Sequence, residues 1–204
     1  MVGWRPFADP LYQPYDFPRR NRTEHLCWFD WRSRDPSRRL YAIEDQEHQV
    51  IGSLTLRDID GQRSARLGIT IGSDFVSKGY GTEALRVFLE HYFGAMGFAR
   101  MVLDVAATNL RAVRCYRGLG FQVLDQHYRS AGHSSFRILR KEPRYQHLRN
   151  LFRRQGTMYQ VLFYDMVLAR EDWWALTQEP ESVSPLAEPS PSYSAQSVPA
   201  LGRR

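Results

Sequence analysis

The chain has 204 residues, of which 43% are hydrophobic and 25% are charged, so it can bury one sizeable core and is not disordered or fibrous over most of its length. Arg100 and Asp104 interrupt the most apolar stretch, so no segment reaches the ~18 apolar residues of a membrane helix, and the N-terminus lacks the apolar centre of a secretion signal. A formal charge of +6 favours acidic partners, and two distant cysteines without metal or redox spacing fit a reducing, cytoplasmic compartment.

The first half of the chain predicts a short helix followed by a three-stranded meander. Residues 1–18 are too rich in proline and aromatic residues to assign, so no first strand is evident, whereas residues 23–31 predict a short helix. Apolar and β-branched runs over 39–44 and 50–57 flank a polar segment of hairpin length. The turn signal Asp60-Gly61 then leads into a third strand over 66–71.

The second half alternates between helical and strand patterns. Apolar residues recur at helical spacing over 82–96, and the run over 101–105 predicts a largely buried strand. Asn109 can cap a second helix that Gly120 closes in the left-handed conformation. Two further strands are predicted, one beginning over 121–124 and one spanning 159–168.

A basic insertion over about 125–157 and a terminal tail complete the chain. Seven basic residues from Arg137 to Arg154 face the single acid Glu142, and Pro143 is predicted to precede a short helix that runs to Gln155. Two interpretations stay open, a solvated amphipathic face or a docking surface for RNA, a ribosome or an acidic protein. Residues 178–204 carry five prolines among serines and predict a disordered tail, which leaves one domain over 1–177.

The segment from Ile69 to Leu85 carries the clearest chemical signal. A strand passes through a turn with Gly79 and Gly81 into the first turn of an amphipathic helix, which leaves backbone N–H groups unpaired. Phosphate oxygens can approach the amides of residues 77–82 at the positive end of the helix dipole. Two glycines before a helix also mark ordinary turn geometry, and neither the Walker pattern nor the three-glycine dinucleotide fingerprint is present.

This order of motifs resembles the GNAT superfamily of acyl-CoA-dependent N-acetyltransferases. The family's Gln/Arg-x-x-Gly-x-Gly/Ala loop corresponds to residues 76–81, where Val76 departs from the usual first residue. The likeness continues through Leu103-Asp104-Val105, Asn109, Ala112, Tyr116 and Gly120-Phe121. The resemblance implies an α/β GNAT acyl-CoA N-acyltransferase fold, with a mixed, mostly antiparallel sheet that is flanked by helices and splays between the strands ending near Ile71 and Val105.

The resemblance also implies a coenzyme site. Acetyl-CoA is the expected cosubstrate, and no metal is expected. The family's pattern implies that backbone groups of three residues pair with the pantetheine arm and that the next set binds the pyrophosphate. The residues implied for the pantetheine arm are Ile69, Thr70 and Ile71. Those implied for the pyrophosphate are Ser77, Lys78, Gly79, Tyr80, Gly81 and Thr82, and Asn109 is placed near the cofactor.

Two residues are the candidate catalytic groups. Tyr116 matches the family's proton donor to the departing thiolate, although its spacing also fits plain packing. Asp104 lies where related ribosomal-protein acetyltransferases carry an acid proposed to accept the proton of the amine, and partial burial is expected to raise its pKa. A purely structural hydrogen bond is the alternative for Asp104. Weaker base candidates are Glu44, Asp58 and His127.

The implied reaction is direct transfer of an acetyl group from acetyl-CoA to a primary amine, either of a protein N-terminus or of a small molecule. The motifs resemble the ribosomal-protein N-terminal acetyltransferase branch. A catalytically silent acyl-CoA-binding or RNA-binding module on the same fold is the alternative. The family often dimerises, so a homodimer is a further expectation, although no interface is legible in the sequence.

Overall fold

The computed structural model describes residues 4–18, 21–131 and 142–178. In these ranges seven strands form one sheet: β1 (Arg39–Glu44), β2 (Val50–Asp60), β3 (Ser64–Ile71), β4 (Arg100–Ala106), β5 (Gln122–Ala131), β6 (Phe152–Gln155) and β7 (Met158–Ala169). Their order is β1-β2-β3-β4-β7-β5, with β6 also paired to β7. Only β3 and β4 run parallel, so the predicted mixed, mostly antiparallel sheet is confirmed.

The described ranges contain four α-helices: α1 (Arg22–Ser33), α2 (Tyr80–Phe93), α3 (Leu110–Gly118) and α4 (Arg170–Gln178). Short 3₁₀ helices cover Gln13–Tyr15 and Pro143–Leu151. A capping box starts α1, because Asn21 Oδ1 accepts the amide of Glu24 while the Glu24 carboxylate accepts the amide of Asn21. Within the described part of the chain, no helix has the length and apolar character needed to cross a membrane.

Most predicted elements appear within a few residues of their predicted bounds. The predicted 82–96 helix starts two residues earlier and ends at Phe93, where Gly94 leaves helical geometry. The predicted cap is confirmed, because Asn109 Oδ1 accepts the amide of Ala112, and Gly120 has a φ of 90° as expected. The α4 helix follows β7 directly and has no counterpart among the predicted elements.

The basic insertion differs from its prediction. Its first part continues β5 to Ala131, and the stretch expected to be the end of a helix is the strand β6 instead. Gly156, with a φ of 60°, allows a two-residue turn that pairs Gln155 with Met158, so β6 and β7 form a tight hairpin. Residues 132–141 and all but the first residue of the predicted 178–204 tail lie outside the described ranges.

One core joins the sheet to α2 and α3. On α2, Leu85, Phe88, Leu89 and Tyr92 are buried at the spacing that predicted the helix, and Tyr92 stacks on Phe98 with ring centroids 4.3 Å apart. From α3, Val113 and Tyr116 enter the same cluster, together with inward residues of β2, β3, β4 and β7. Burial of each large side chain contributes about 1.5–3 kcal/mol, which fixes both helices against the sheet.

The sheet opens between its two parallel strands. β3 and β4 pair only from Ser64–Arg66 to Arg100–Val102, and no further pairs follow toward their C-terminal ends. β4 continues to pair with β7 up to Ala106. The predicted gap between the ends of β3 and β4 is therefore present, and it leaves backbone polar groups of β3 facing an open space.

Residues 4–18 form no strand but are held across the C-terminal end of β3. Trp4 Nε1 donates to the carbonyl of Val50, and the Arg5 guanidinium pairs with Asp74 at 2.5 Å. A second tie runs to the 3₁₀ helix of the insertion, where the Tyr145 hydroxyl donates to Asp9. These contacts place an aromatic segment beside the gap in the sheet.

Candidate active site

A cleft of about 640 Å³ lies at the gap between β3 and β4. Eight of the ten residues predicted to hold the coenzyme line it: Ile69, Thr70, Ile71, Ser77, Gly79, Gly81, Thr82 and Asn109. Tyr116, the predicted proton donor, lines the same cleft, whereas Lys78, Tyr80 and Asp104 do not. One space therefore joins the open edge of β3, the loop before α2 and the phenol of α3.

The loop before α2 is shaped to expose backbone amides. Ser77 and Gly79 have φ angles of 62° and 90°, and this alternation around ordinary backbone turns successive N–H groups outward. The amides of Thr82 and Glu83 both donate to the carbonyl of Gly79 at 3.0 Å, so Thr82 has a partner already. Within the described ranges, the amides from Ser77 to Gly81 have no backbone acceptor, and we call this row of donors at the start of α2 the amide cradle, an arrangement of the kind that binds anions.

Glycine is needed in this loop mainly at position 79. A left-handed φ of 90° disfavours any side chain at Gly79, although open space surrounds the position where its Cβ would lie. At Gly81 a Cβ would make only an ordinary contact, 3.7 Å from Ile71 Cγ1, and would project into the cleft. The two glycines therefore act differently, one through backbone conformation and one by leaving room for a ligand.

Two of the predicted pyrophosphate residues direct their side chains elsewhere. The Lys78 ammonium lies 5.8 Å from the ring centroid of Phe75, and Tyr80 packs edge-on against the same ring. Tyr80 lines a separate groove, on the β1 side of α2. Any contribution of these two residues to the anion site comes through their backbone amides.

The α3 helix forms the opposite wall. Cys115 Sγ lies 3.2 Å from Thr82 Oγ1 and bridges the two helices across the cleft. Burial raises the pKa of the Cys115 thiol, an effect that the Thr82 hydroxyl only partly offsets. The thiol therefore stays protonated near neutral pH, which argues against nucleophilic catalysis by this cysteine.

Tyr116 is a buried phenol at the wall of the cleft. Its side chain is 8% exposed and packs against Phe121, yet it reaches the cleft. Burial raises the pKa of Tyr116 well above the ordinary phenol value, and Cys115, Asp104 and Tyr15 raise it further. A phenol in this state remains protonated over the whole physiological range.

Asp104 is held by three arginines on the other face of the sheet. Its carboxylate oxygens lie 2.9 Å from Arg57, 3.0 Å from Arg66 and 2.7 Å from Arg129, and its side chain is 10% exposed. Burial alone raises the pKa of Asp104, but the arginine hydrogen bonds and charges outweigh burial and lower it. The predicted rise in the pKa of Asp104 is therefore wrong. The prediction missed the arginines because they lie on other strands, far from Asp104 along the chain.

The weaker base candidates lie outside the cleft. His127 Nδ1 lies 2.9 Å from Asp165, and its Nε2 accepts a hydrogen bond from Arg129, so neither nitrogen has a free lone pair. Glu44 lines the groove on the β1 side of α2, and Asp58 is exposed beside Arg66. Among the described residues, no group of three or more His, Cys, Asp or Glu side chains is placed to hold a metal ion.

The N-terminal segment supplies a wall that sequence patterns did not reveal. Phe7, Pro14, Tyr15 and Asp16 line the cleft. Arg111 of α3 is also in the lining, and its guanidinium stacks 4.4 Å from the ring centroid of Tyr12. A high density of aromatic residues was the one available signal, but it carries no periodicity and no motif.

The chain belongs to the GNAT acetyltransferase family. The family described as "Acetyltransferase (GNAT) domain" matches residues 4–122, which include the N-terminal segment, the amide cradle and α3. The predicted superfamily and fold are thus confirmed.

The chain is similar to spermidine acetyltransferases of Vibrio cholerae. It is 27% identical over 122 residues to a spermidine N(1)-acetyltransferase, an alignment that covers 59% of this chain and 65% of that protein. A crystal structure of spermidine N-acetyltransferase in complex with CoA and spermine has a TM-score of 0.55 at 21% identity, covering 78% of this chain and 81% of that one. A crystal structure of spermidine/spermine N-acetyltransferase in complex with manganese ions has a TM-score of 0.57 at 19% identity, with coverages of 81% and 84%. The two structures support the fold.

Proposed function

We propose that this protein transfers an acetyl group from acetyl-CoA to a primary amine of a small molecule. The observation that carries the proposal is the single cleft that joins the amide cradle, the unpaired edge of β3 and the buried phenol of Tyr116. A binding module needs the first two features, whereas a protonated phenol inside the cleft serves a leaving group.

The residues of the cleft fit coenzyme A. Free amides from Ser77 to Gly81 suit a pyrophosphate, and Gly81 leaves space beside them. The backbone of Ile69 to Ile71 has no strand partner on the β4 side and can pair with the amides of a pantetheine arm. Asn109 lies in the lining between the cradle and Tyr116 and already caps α3. Bound acetyl-CoA supplies an activated thioester with a thiolate leaving group.

Tyr116 acts as the general acid. The new N–C bond forms as the C–S bond breaks, and the Tyr116 hydroxyl gives its proton to the sulfur. The raised pKa of Tyr116 keeps this hydroxyl protonated throughout the physiological pH range. The proton lost by the amine passes to solvent, and solvent returns a proton to Tyr116 before the next turnover. Asp104 lies outside the cleft with three arginines on its carboxylate, and His127 has no free lone pair.

A small cationic acceptor is favoured over a protein N-terminus. The relatives are named as spermidine acetyltransferases, and the N-terminal segment forms one wall of the cleft. Protein N-termini are the second acceptor class, because the sequence motifs resemble those of the ribosomal-protein N-terminal acetyltransferases.

Docking of RNA or a ribosome on the basic insertion is a separate proposal. Arg144 pairs with Glu142, and Arg153 stacks 3.8 Å from the ring centroid of Tyr128, so these two arginines already have partners. Loss of RNA binding with rising salt would support docking, and absence of binding at low salt would remove it.

Thiol release tests the main proposal. Purified protein with acetyl-CoA is expected to release free thiol with spermidine and to do so poorly with peptides that carry a free N-terminus. Isothermal titration with CoA gives the binding constant in parallel. A well-folded protein that binds no CoA would refute the coenzyme assignment, and binding without turnover on any amine would favour the silent module.

A further inference from the structure

A small aromatic pocket adjoins the coenzyme cleft. It has a volume of about 280 Å³ and lies between the N-terminal segment and the end of β3. Its lining includes four aromatic side chains and one carboxylate, namely Trp4, Phe7, Tyr15, Phe17 and Asp16. Phe7, Tyr15, Asp16 and Ile71 line both this pocket and the cleft, so the two spaces share a wall.

The Asp16 carboxylate carries a charge that no described cationic side chain of this aromatic pocket neutralises. Arg5 also lines the pocket, but its guanidinium is bound to Asp74 at 2.5 Å. Asp16 Oδ1 accepts the amide of Phe7 at 2.7 Å, and no cationic side chain of the described ranges pairs with the Asp16 carboxylate. A carboxylate among aromatic rings favours a positively charged ligand.

Aromatic rings of the same segment already hold a cation. The Arg111 guanidinium lies 4.4 Å from the ring centroid of Tyr12 and 5.5 Å from that of Phe7. In the pocket itself, Trp4 and Phe17 meet edge-on with centroids 5.5 Å apart. These rings provide apolar walls for the methylene groups of a ligand beside the Asp16 carboxylate.

We propose that the aromatic pocket binds the charged ammonium of an acceptor that carries at least two amino groups. The inference rests on the proposed acetyl transfer and names its substrate class, a linear diamine or polyamine. The attacking amine must be neutral, so the amine that anchors the substrate to Asp16 is a different one. The pocket volume corresponds to about nine water molecules, which accommodates a short aminoalkyl chain. A monoamine reaches the cleft without this anchor.

Direct binding tests the pocket without turnover. Isothermal titration of spermidine into CoA-loaded protein is compared for the unchanged chain and for Asp16→Asn, which keeps an oxygen acceptor for the Phe7 amide. Loss of the charge-assisted contact is expected to weaken spermidine binding about tenfold or more, well beyond any change in the CoA affinity of the same variant. Asp172→Asn removes the same charge from the exposed first turn of α4 and is expected to change neither. Spermidine affinity within twofold in Asp16→Asn, or no spermidine binding to the unchanged chain, overturns the proposal.

A matched pair of acceptors provides the second measurement. In thiol release, 1,8-diaminooctane is expected to have a KM about tenfold below that of n-octylamine, and Asp16→Asn is expected to bring the ratio close to one. Turnover of both amines without a preference overturns the pocket and leaves acetyl transfer intact. Spermidine binding that depends on Asp16, without thiol release from any amine, supports the pocket and refutes acetyl transfer. Matching melting curves confirm that the variant folds.

Discussion

Replacing Asp104 by asparagine separates a structural carboxylate from a catalytic one. The side chain is almost fully buried and shared by Arg57, Arg66 and Arg129, which come from three different strands. Asparagine keeps the shape and one acceptor oxygen but removes the charge. Of the three guanidinium groups, that of Arg66 then keeps two carboxylate partners, Asp165 at 3.4 Å and Asp58 at 3.5 Å.

The expected cost follows from burial. Breaking a buried ion pair by removing one partner costs about 3–5 kcal/mol. The three arginine side chains are 30–43% exposed, so solvent screens part of this energy, and we expect a loss of about 2–3 kcal/mol in the free energy of unfolding at pH 7. For a chain of this size the melting temperature should fall by about 4–12 °C.

The lowered pKa of Asp104 determines how the effect of Asp104→Asn on stability changes with pH. The folded-state pKa of Asp104 is lowered, so the stabilisation is complete above the ordinary carboxyl pKa of about 3.9 and is lost as the pH falls through the folded-state value. The difference between the unchanged chain and Asp104→Asn should therefore be full at pH 7 and narrow below about pH 4.

Urea unfolding at several pH values, together with thiol release, measures both roles. Asp58→Asn is the control, because that carboxylate is 67% exposed and 3.5 Å from Arg66, and it should change stability by under about 0.5 kcal/mol. An Asp104→Asn protein as stable as the unchanged chain at pH 7 would refute the structural account. Unchanged stability with a hundredfold fall in kcat would identify Asp104 as the proton acceptor.

Three further variants test the cleft. Tyr116→Phe should lower kcat at least about a hundredfold with CoA affinity unchanged, and kcat of the unchanged chain should show no basic limb from this phenol up to about pH 10, as thiol release across pH would report. Gly79→Ala should cost about 1–2 kcal/mol in urea unfolding because of its left-handed φ, whereas Gly118→Ala, at the end of α3 with open space around it, should be neutral or stabilising. Asn109→Ala should cost about 1 kcal/mol in the same assay by removing the cap of α3. Equal changes in the free energy of unfolding at the two glycines would contradict these assignments, as would an Asn109→Ala protein as stable as the unchanged chain.

The fold was predictable where a local pattern decides it. Helical spacing marked α2, alternating and apolar runs marked β1 to β4, and a capping residue with a closing glycine bounded α3. The α4 helix escaped prediction because only Trp173 of its nine residues is buried, which leaves little apolar pattern. The strand β6 escaped because its partner, β7, rather than its own sequence, fixes its conformation.

The candidate site was predictable along one wall only. The glycine loop and α3 carry motifs, whereas the N-terminal wall depends on contacts such as Trp4 with Val50 and Arg5 with Asp74. The surroundings of Asp104 were equally hidden, because Arg57 and Arg129 lie 47 and 25 residues away along the chain. Charge and burial at a site are properties of the assembled sheet, and a single sequence does not display them.

The short pairing of β3 with β4 has a mechanical consequence. Three residue pairs form the backbone seam between one half of the sheet, β1 to β3, and the other half, which contains β4, β7 and β5. An extended ligand arm that hydrogen-bonds along the free edge of β3 takes the place of an absent strand and lengthens this seam. A bound ligand arm should then slow amide hydrogen exchange along the end of β3, because the ligand itself supplies part of the rigidity of the sheet.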